Sequence, residues 1–181
     1  GLSPIVNMCL LFIVIMLTLA KVDGISNLDS RATAVDLNQV AQENIDILSH
    51  RALDKKISLI FEHATDSSVE IMANRELLST LLRNLIDNAI RYTPERGWIK
   101  LNIKPLPQRL RVSLRDSGPG IPQELQQRIF ERFYRNSTTA SGSGLGLSIS
   151  KQIAEIHGAS IALKNCSSPD GFEVTIDFPI H

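Results

Sequence analysis

The chain is poor in the residues on which several kinds of site depend. It has two cysteines in 181 residues, Cys9 and Cys166. They lie far apart and form no metal-type spacing or disulfide framework, so they read as reduced, partly buried thiols. Its four histidines, His50, His63, His157 and His181, have no Cys, Asp or Glu partner at ligand spacing. They read as structural or exposed. His157, followed by Gly158, reads as a helix C-terminus where a cationic ring suits the dipole. Neither sign of charge is in excess, with 19 basic and 19 acidic residues. That removes the electrostatic reason to expect nucleic acid. No internal repeat is present. The apolar run Ile5–Ala20 is sixteen residues, broken only by Asn7 and Thr18, and a bilayer span needs about 20. It also lacks the basic flank and small-residue cleavage site of a signal peptide. Two readings remain, a helix packed against other helices and a membrane span. Either way the segment needs cover from a neighbour.

What is present begins with Gly142-Ser143-Gly144-Leu145-Gly146-Leu147. Three alternate glycines between a Ser/Thr-rich loop and a helical pattern suit a phosphate cradle. Backbone N–H groups can approach closely there, and a helix start adds unpaired donors. A Walker A loop needs Lys-Ser/Thr after its last glycine, and here Leu147-Ser148 follow. A dinucleotide fingerprint needs its third glycine one position later, directly after a strand. Both are excluded.

The pattern predicts two parts, an apolar helix and linker over 1–31 and a domain over 32–181. Within the domain, strands are expected at Ala32–Leu37, Ile57–Phe61 and Val69–Met72. Further strands are expected at Trp98–Ile103, Leu110–Arg115, Ala159–Leu163 and Phe172–Phe178. Helices are expected at Asn38–Ala52, Asn74–Tyr92, Pro122–Phe133 and Leu145–His157. The strongest is Asn74–Tyr92, with Asn74 as N-cap, a leucine-rich stripe and Thr93-Pro94 as its stop. Adjacent strand pairs with intervening helices predict an α/β fold, a mixed sheet with helices on one face.

Asn84, Asn88 and Arg91 share one face of that helix. They make either a solvated polar face or a set of amide oxygens for a hard cation such as Mg²⁺. Arg91 and Tyr92 would then flank a nucleotide. Asp116-Ser117-Gly118-Pro119-Gly120 follows a strand. It is either an ordinary turn or a carboxylate placed to accept a hydrogen bond from adenine N6. Phe130 and Phe133 could anchor one end of a mobile lid over 136–143, leaving Arg135 free to meet a phosphate.

The order Asn84-x-x-x-Asn88, Asp116-x-Gly118-x-Gly120, Phe130-x-x-Phe133, Gly142-x-Gly144-x-Gly146 closely resembles the catalytic, ATP-binding domain of sensor histidine kinases. These are its N box, first glycine box, F box and second glycine box. The wider superfamily includes gyrase, the ninety-kilodalton heat-shock chaperone and the MutL repair proteins. The resemblance runs from about Thr33 to the C-terminus. Glu131 to Arg135 and Gly142 to Ser148 resemble the QseC/PmrB-type subgroup.

The resemblance implies a two-layer α/β sandwich (a Bergerat-type ATP-binding fold) with a mixed, mostly antiparallel sheet. It implies Asn88 as Mg²⁺ ligand, with the catalytic residue Asn84 beside it at the triphosphate, and Arg91 and Tyr92 at phosphate and nucleoside. Asp116 would read the adenine amine, with Gly118, Gly120 and Ile121 lining the base. Arg135, Gly142, Gly144, Leu145, Gly146 and Leu147 would close from the lid.

The ATPase branches have a glutamate where Asn84 stands, and an amide cannot take a proton from water. Transfer of the γ-phosphoryl group to a protein histidine is therefore expected, for relay to a response regulator. The alternatives are a hydrolytic ATPase module and a non-catalytic interaction module. Leu17 to Asp23 resembles the end of a dimerisation helix, but the acceptor box with its histidine is absent. The expected partners are a dimerisation and phosphotransfer domain, within a homodimer, and a response regulator. The expected setting is the cytoplasmic part of a bacterial inner-membrane protein.

Overall fold

In the computed structural model the chain divides into two units, Gly1–Arg31 and Ala32–His181. The structure describes residues 32–63, 70–130, 146–167 and 169–180, all in the second unit. The first strand, β1 (Thr33–Asp36), leads straight into α1 (Leu37–Asp54). Asp36 caps that helix by accepting from the Asn38 N–H at 2.9 Å. Leu37, Val40, Ala41, Ile45, Leu48 and Ala52 recur at helical spacing and are buried.

The helix ends in two crossed backbone bonds, Lys56 N–H to Leu53 O and Ile57 N–H to Ala52 O, both 2.8 Å. This is a Schellman closure, which needs a left-handed residue. Lys56 fills that position at φ 54°.

Strands β2 (Ser58–His63) and β3 (Glu70–Ala73) do not pair with each other. β3 pairs antiparallel with β1 in a small two-stranded sheet. β2 joins a five-stranded sheet of order β2-β4-β5-β7-β6. Between them and β4 (Trp98–Leu106) runs α2 (Arg75–Tyr92), capped by the Asn74 side chain at the Leu77 N–H, 3.1 Å. The stretch β3–α2 serves as the crossover that lets β2 and β4 pair in parallel. β5 (Arg109–Asp116) follows a two-residue turn, Pro107-Gln108, with Gln108 at φ 60°. β6 (Ser160–Ser167) and β7 (Asp170–Pro179) complete the sheet, and every pairing except β2–β4 is antiparallel.

The expected α/β layering forms. Ile99, Leu101 and Ile103, Leu110, Val112 and Leu114, and Phe172, Val174, Ile176 and Phe178 are buried on one sheet face. α1, α2 and α4 (Gly146–Ile156) pack on that side. The opposite face alternates charge: Arg111 meets Asp177 through two bonds of 2.7 and 2.8 Å, and Lys100 meets Glu62 at 3.0 Å.

The expected helix over Pro122–Phe133 is smaller. A single turn, α3 (Gln123–Gln126), gives way to a 3₁₀ turn at Arg128–Phe130, and the rest of that prediction lies outside the described residues. Among the described residues no helix is long and apolar enough to cross a membrane.

Candidate functional site

The site grows from the C-terminal end of α2. Asn84 and Asn88 are half-exposed on that helix, beside its buried leucine stripe. Among the described residues the Asn88 side chain makes no hydrogen bond. Arg91 is less free, because its guanidinium meets Asp87 at 3.0 Å and Asp87 also pairs with Arg51. Tyr92 is exposed at the last position of the helix.

The helix end is fixed by a residue the sequence reading missed. The Lys55 ammonium, just past α1, donates to Ile90 O at 2.7 Å, Arg91 O at 3.1 Å and Thr93 O at 2.7 Å. These are carbonyls that a helix C-terminus leaves unpaired, and a cation there suits the dipole.

Asp116 ends β5 directly beside this helix end. Gly118 lies so close that a Cβ would come within 3.1 Å of Tyr92 O and 2.8 Å of Asp116 Oδ1. The Asp116 carboxylate is buried and accepts the Gly118 N–H at 2.7 Å. Burial pushes its pKa up to about 6, against the lowering effect of that one N–H. A carboxylate with so little support inside a fold is poised for an outside donor.

Ser117 anchors the start of the loop by accepting the Trp98 N–H at 2.8 Å. Gly171 packs under its base, where a Cβ would stand 2.1 Å from Asp116 O. A glycine inside a strand signals such close approach, and that signal was available in the sequence. Gly120 takes φ +74°, a conformation that favours glycine. Ile121 follows, with both of its backbone groups bonded to the Asn165 side chain.

The structure thus brings Tyr92, at the end of the helix that bears Asn84, Asn88 and Arg91, together with Asp116 and Gly118, and ties Gly120 and Ile121 to Asn165 on β6. Gly146 begins α4 and Leu147 follows it, half-buried. Arg135, Gly142, Gly144, Leu145 and the expected lid over 136–143 lie outside the described residues, as do Phe133, Cys9 and His181.

His157 is at the end of α4 as expected, but not as a cation. Its Nδ1–H donates to Ile153 O at 2.7 Å and its Nε2 accepts the Asn74 N–H at 3.2 Å. Burial lowers its pKa, and an acceptor nitrogen carries no proton. The neutral ring ties the end of α4 to the start of α2.

Residues 73–181 match the family model described as histidine kinase-, DNA gyrase B-, and HSP90-like ATPase. The chain belongs to this family. Within it, the chain is 38% identical over 166 residues to sensor protein kinase PmrB of Pseudomonas aeruginosa, covering 91% of this chain and 34% of that protein. It is 35% identical to sensor protein QseC of Escherichia coli, covering 90% and 35%. The chain therefore spans about a third of the length of these relatives. The catalytic domain of histidine kinase ThkA superposes with a TM-score of 0.74 at 32% identity, covering 82% of this chain and 95% of that domain. ThkA is also known in complex with response regulator protein TrrA, where the TM-score is 0.71 at 30% identity, covering 83% and 42%. As a histidine kinase-like ATPase domain, the chain has the α/β fold these structures share.

Among the described residues no three His, Cys, Asp or Glu side chains cluster to hold a metal. The neutral amide oxygen of Asn88 is the type of donor that suits Mg²⁺, an ion held by few protein ligands alongside phosphate oxygens and water.

Proposed function

We propose that this chain is the catalytic, ATP-binding domain of a sensor histidine kinase. It delivers the ATP γ-phosphoryl group to a histidine on a dimerisation domain, for relay to a response regulator. The observation that carries the reading is Asp116, a buried carboxylate with a single backbone donor, ending a strand beside Gly118, whose missing side chain lets the backbone pass close to Asp116 and Tyr92. In this reading it accepts the adenine amino group, while Gly118, Gly120 and Ile121 line the base. Asn88 offers its amide oxygen to Mg²⁺, which would neutralise charge on the phosphates. Arg91 and Tyr92 flank phosphate and nucleoside, and Arg135, Gly142, Gly144, Leu145, Gly146 and Leu147 close over them.

Asn84 carries the distinction from hydrolysis. A carboxamide holds and orients through hydrogen bonds but cannot serve as a base for water. Phosphoryl transfer asks mainly for positioning and charge neutralisation, which this set of groups provides. The TrrA complex of ThkA supports a response regulator as downstream partner. A homodimeric, membrane-bound protein with this domain on its cytoplasmic side belongs to the same proposal.

Isothermal titration with the analogue AMPPNP, with and without Mg²⁺, tests the proposal. Saturable one-to-one binding that strengthens with Mg²⁺ is expected, with no steady phosphate release when ATP is supplied. Absence of binding heat would overturn the reading, and sustained phosphate release would replace it with a hydrolase.

A further inference from the structure

We propose that Asn165 is a positioning residue for the base-binding loop, acting as a side-chain substitute for a missing strand neighbour. The inference rests on the nucleotide reading given above. Asn165 lies on β6, the edge strand of the sheet. Its cross-strand neighbour is Phe172 on β7, and the neighbour of Phe172 on β5 is Asp116. The three residues form one row across the sheet. The loop that starts at Asp116 therefore leaves β5, crosses β7 and reaches β6, a distance of about 10 Å at ordinary strand spacing.

There the loop is caught. Asn165 Oδ1 accepts the Ile121 N–H at 3.0 Å, and Asn165 Nδ2 donates to Ile121 O at 2.7 Å. Both backbone groups of one residue are satisfied by one carboxamide, as a neighbouring strand would satisfy them. Gln126 Nε2 donates to the same Ile121 oxygen at 3.1 Å.

The chemistry demands an amide. An aspartate could accept the N–H but would face the Ile121 carbonyl with a lone pair. A glutamine would be one methylene too long.

Gly120 is matched to the same clamp. At φ +74° it turns the chain toward β6, and a Cβ on it would stand 2.6 Å from Asn165 Oδ1. Loop path, glycine and carboxamide make one unit, with Asp116 at one end and Ile121 at the other. Holding Ile121 fixes where Gly118 to Ile121 run beside the base. It also spares the nucleotide the ordering of that loop on binding. Asn165 touches no nucleotide in this account. It acts through Ile121.

The test uses the whole chain, with Asn165→Ala and Asn165→Asp beside the wild type. AMPPNP·Mg²⁺ affinity is measured by calorimetry, and exchange of the Ile121 amide by NMR. Asn165 is exposed, so melting temperatures should agree with wild type to within about 2 °C. Asn165→Ala should bind roughly tenfold more weakly, about 1.4 kcal/mol, and its Ile121 amide should exchange faster. Asn165→Asp keeps the acceptor but, ionised at pH 7.5, supplies no donor, so it should be impaired as well. A general loss of stability would instead lower the melting temperature of both variants.

Wild-type affinity and unchanged Ile121 exchange in Asn165→Ala would overturn the clamp and leave the nucleotide reading standing. A wild type that binds no nucleotide would overturn that reading, and with it the role given to Asn165, even if Ile121 still lost protection in the variant.

Discussion

Asp116 carries a charge that the fold alone disfavours. Its pKa is raised to about 6 in the folded state, from 3.8. The folded protein thus holds that proton more tightly than the unfolded chain does. The stabilisation is complete below the unfolded value and is lost as pH rises through about 6. At neutral pH the buried charge costs on the order of 2–3 kcal/mol. Asp116→Asn keeps an acceptor for the Gly118 N–H and removes the charge. It should therefore be more stable than wild type at pH 7–8, by about 1–3 kcal/mol in urea unfolding, with the gap closing toward pH 4. An equal gap at both pH values would mean the charge is not the cause. For Asn88, the expectation is that Asn88→Ala still binds AMPPNP but no longer binds it more tightly when Mg²⁺ is added. Calorimetry with and without the ion reads this directly. These residues were legible because their spacing is local and their types are few. Asn165 was not, since its partner Ile121 lies 44 positions away and a lone asparagine near a strand end says nothing by itself.

Among the elements, α2 is the one on which the site depends, and its two ends were not equally readable. Asn74 declares the start, because a side-chain cap acts within one turn. The end is held by Lys55, whose contacts with α2 span 35 to 38 positions and leave no sequence signature. Hydrogen bonds to a charged group contribute about 1.5–3 kcal/mol. Lys55→Met retains the aliphatic stem and removes the three bonds. It should lower unfolding free energy by about 2 kcal/mol, measured by urea denaturation. A loss under about 0.5 kcal/mol would show that water replaces the ammonium without penalty.

The helix stops make the same contrast. Gly158 announces the end of α4, at φ +66°. α1 ends in the same backbone pattern on Lys56, a residue type that gives no warning of a left-handed turn. His157 lies at the end of α4, where the sequence pattern puts it, but it is neutral rather than cationic. Its acceptor role toward Asn74, 83 positions away, decides the protonation.

At the scale of the whole domain, periodicity gave the strands and the layering, because the buried face of β4, β5 and β7 alternates cleanly. It did not give the partition of β1 and β3 into a sheet of their own, nor the parallel pairing of β2 with β4. Both depend on which strand the α2 crossover delivers to which neighbour, a choice that no window along the chain contains. Binding to the folded state alone should raise its stability by about 2.7 kcal/mol at a ligand concentration 100-fold above Kd. AMPPNP·Mg²⁺ at that excess should therefore raise the melting temperature by about 5–10 °C, followed by fluorescence or calorimetry. A fold kept for interaction alone would melt at the same temperature with or without nucleotide.

In the proposed function the buried carboxylate of Asp116 receives the base of ATP. Parallel calorimetric titrations of wild type and Asp116→Asn with AMPPNP·Mg²⁺ at pH 7.5 test it most directly, with circular dichroism confirming that both are folded. Saturable binding by the wild type and none by a folded Asp116→Asn is expected. Equal affinity in the two proteins would contradict it.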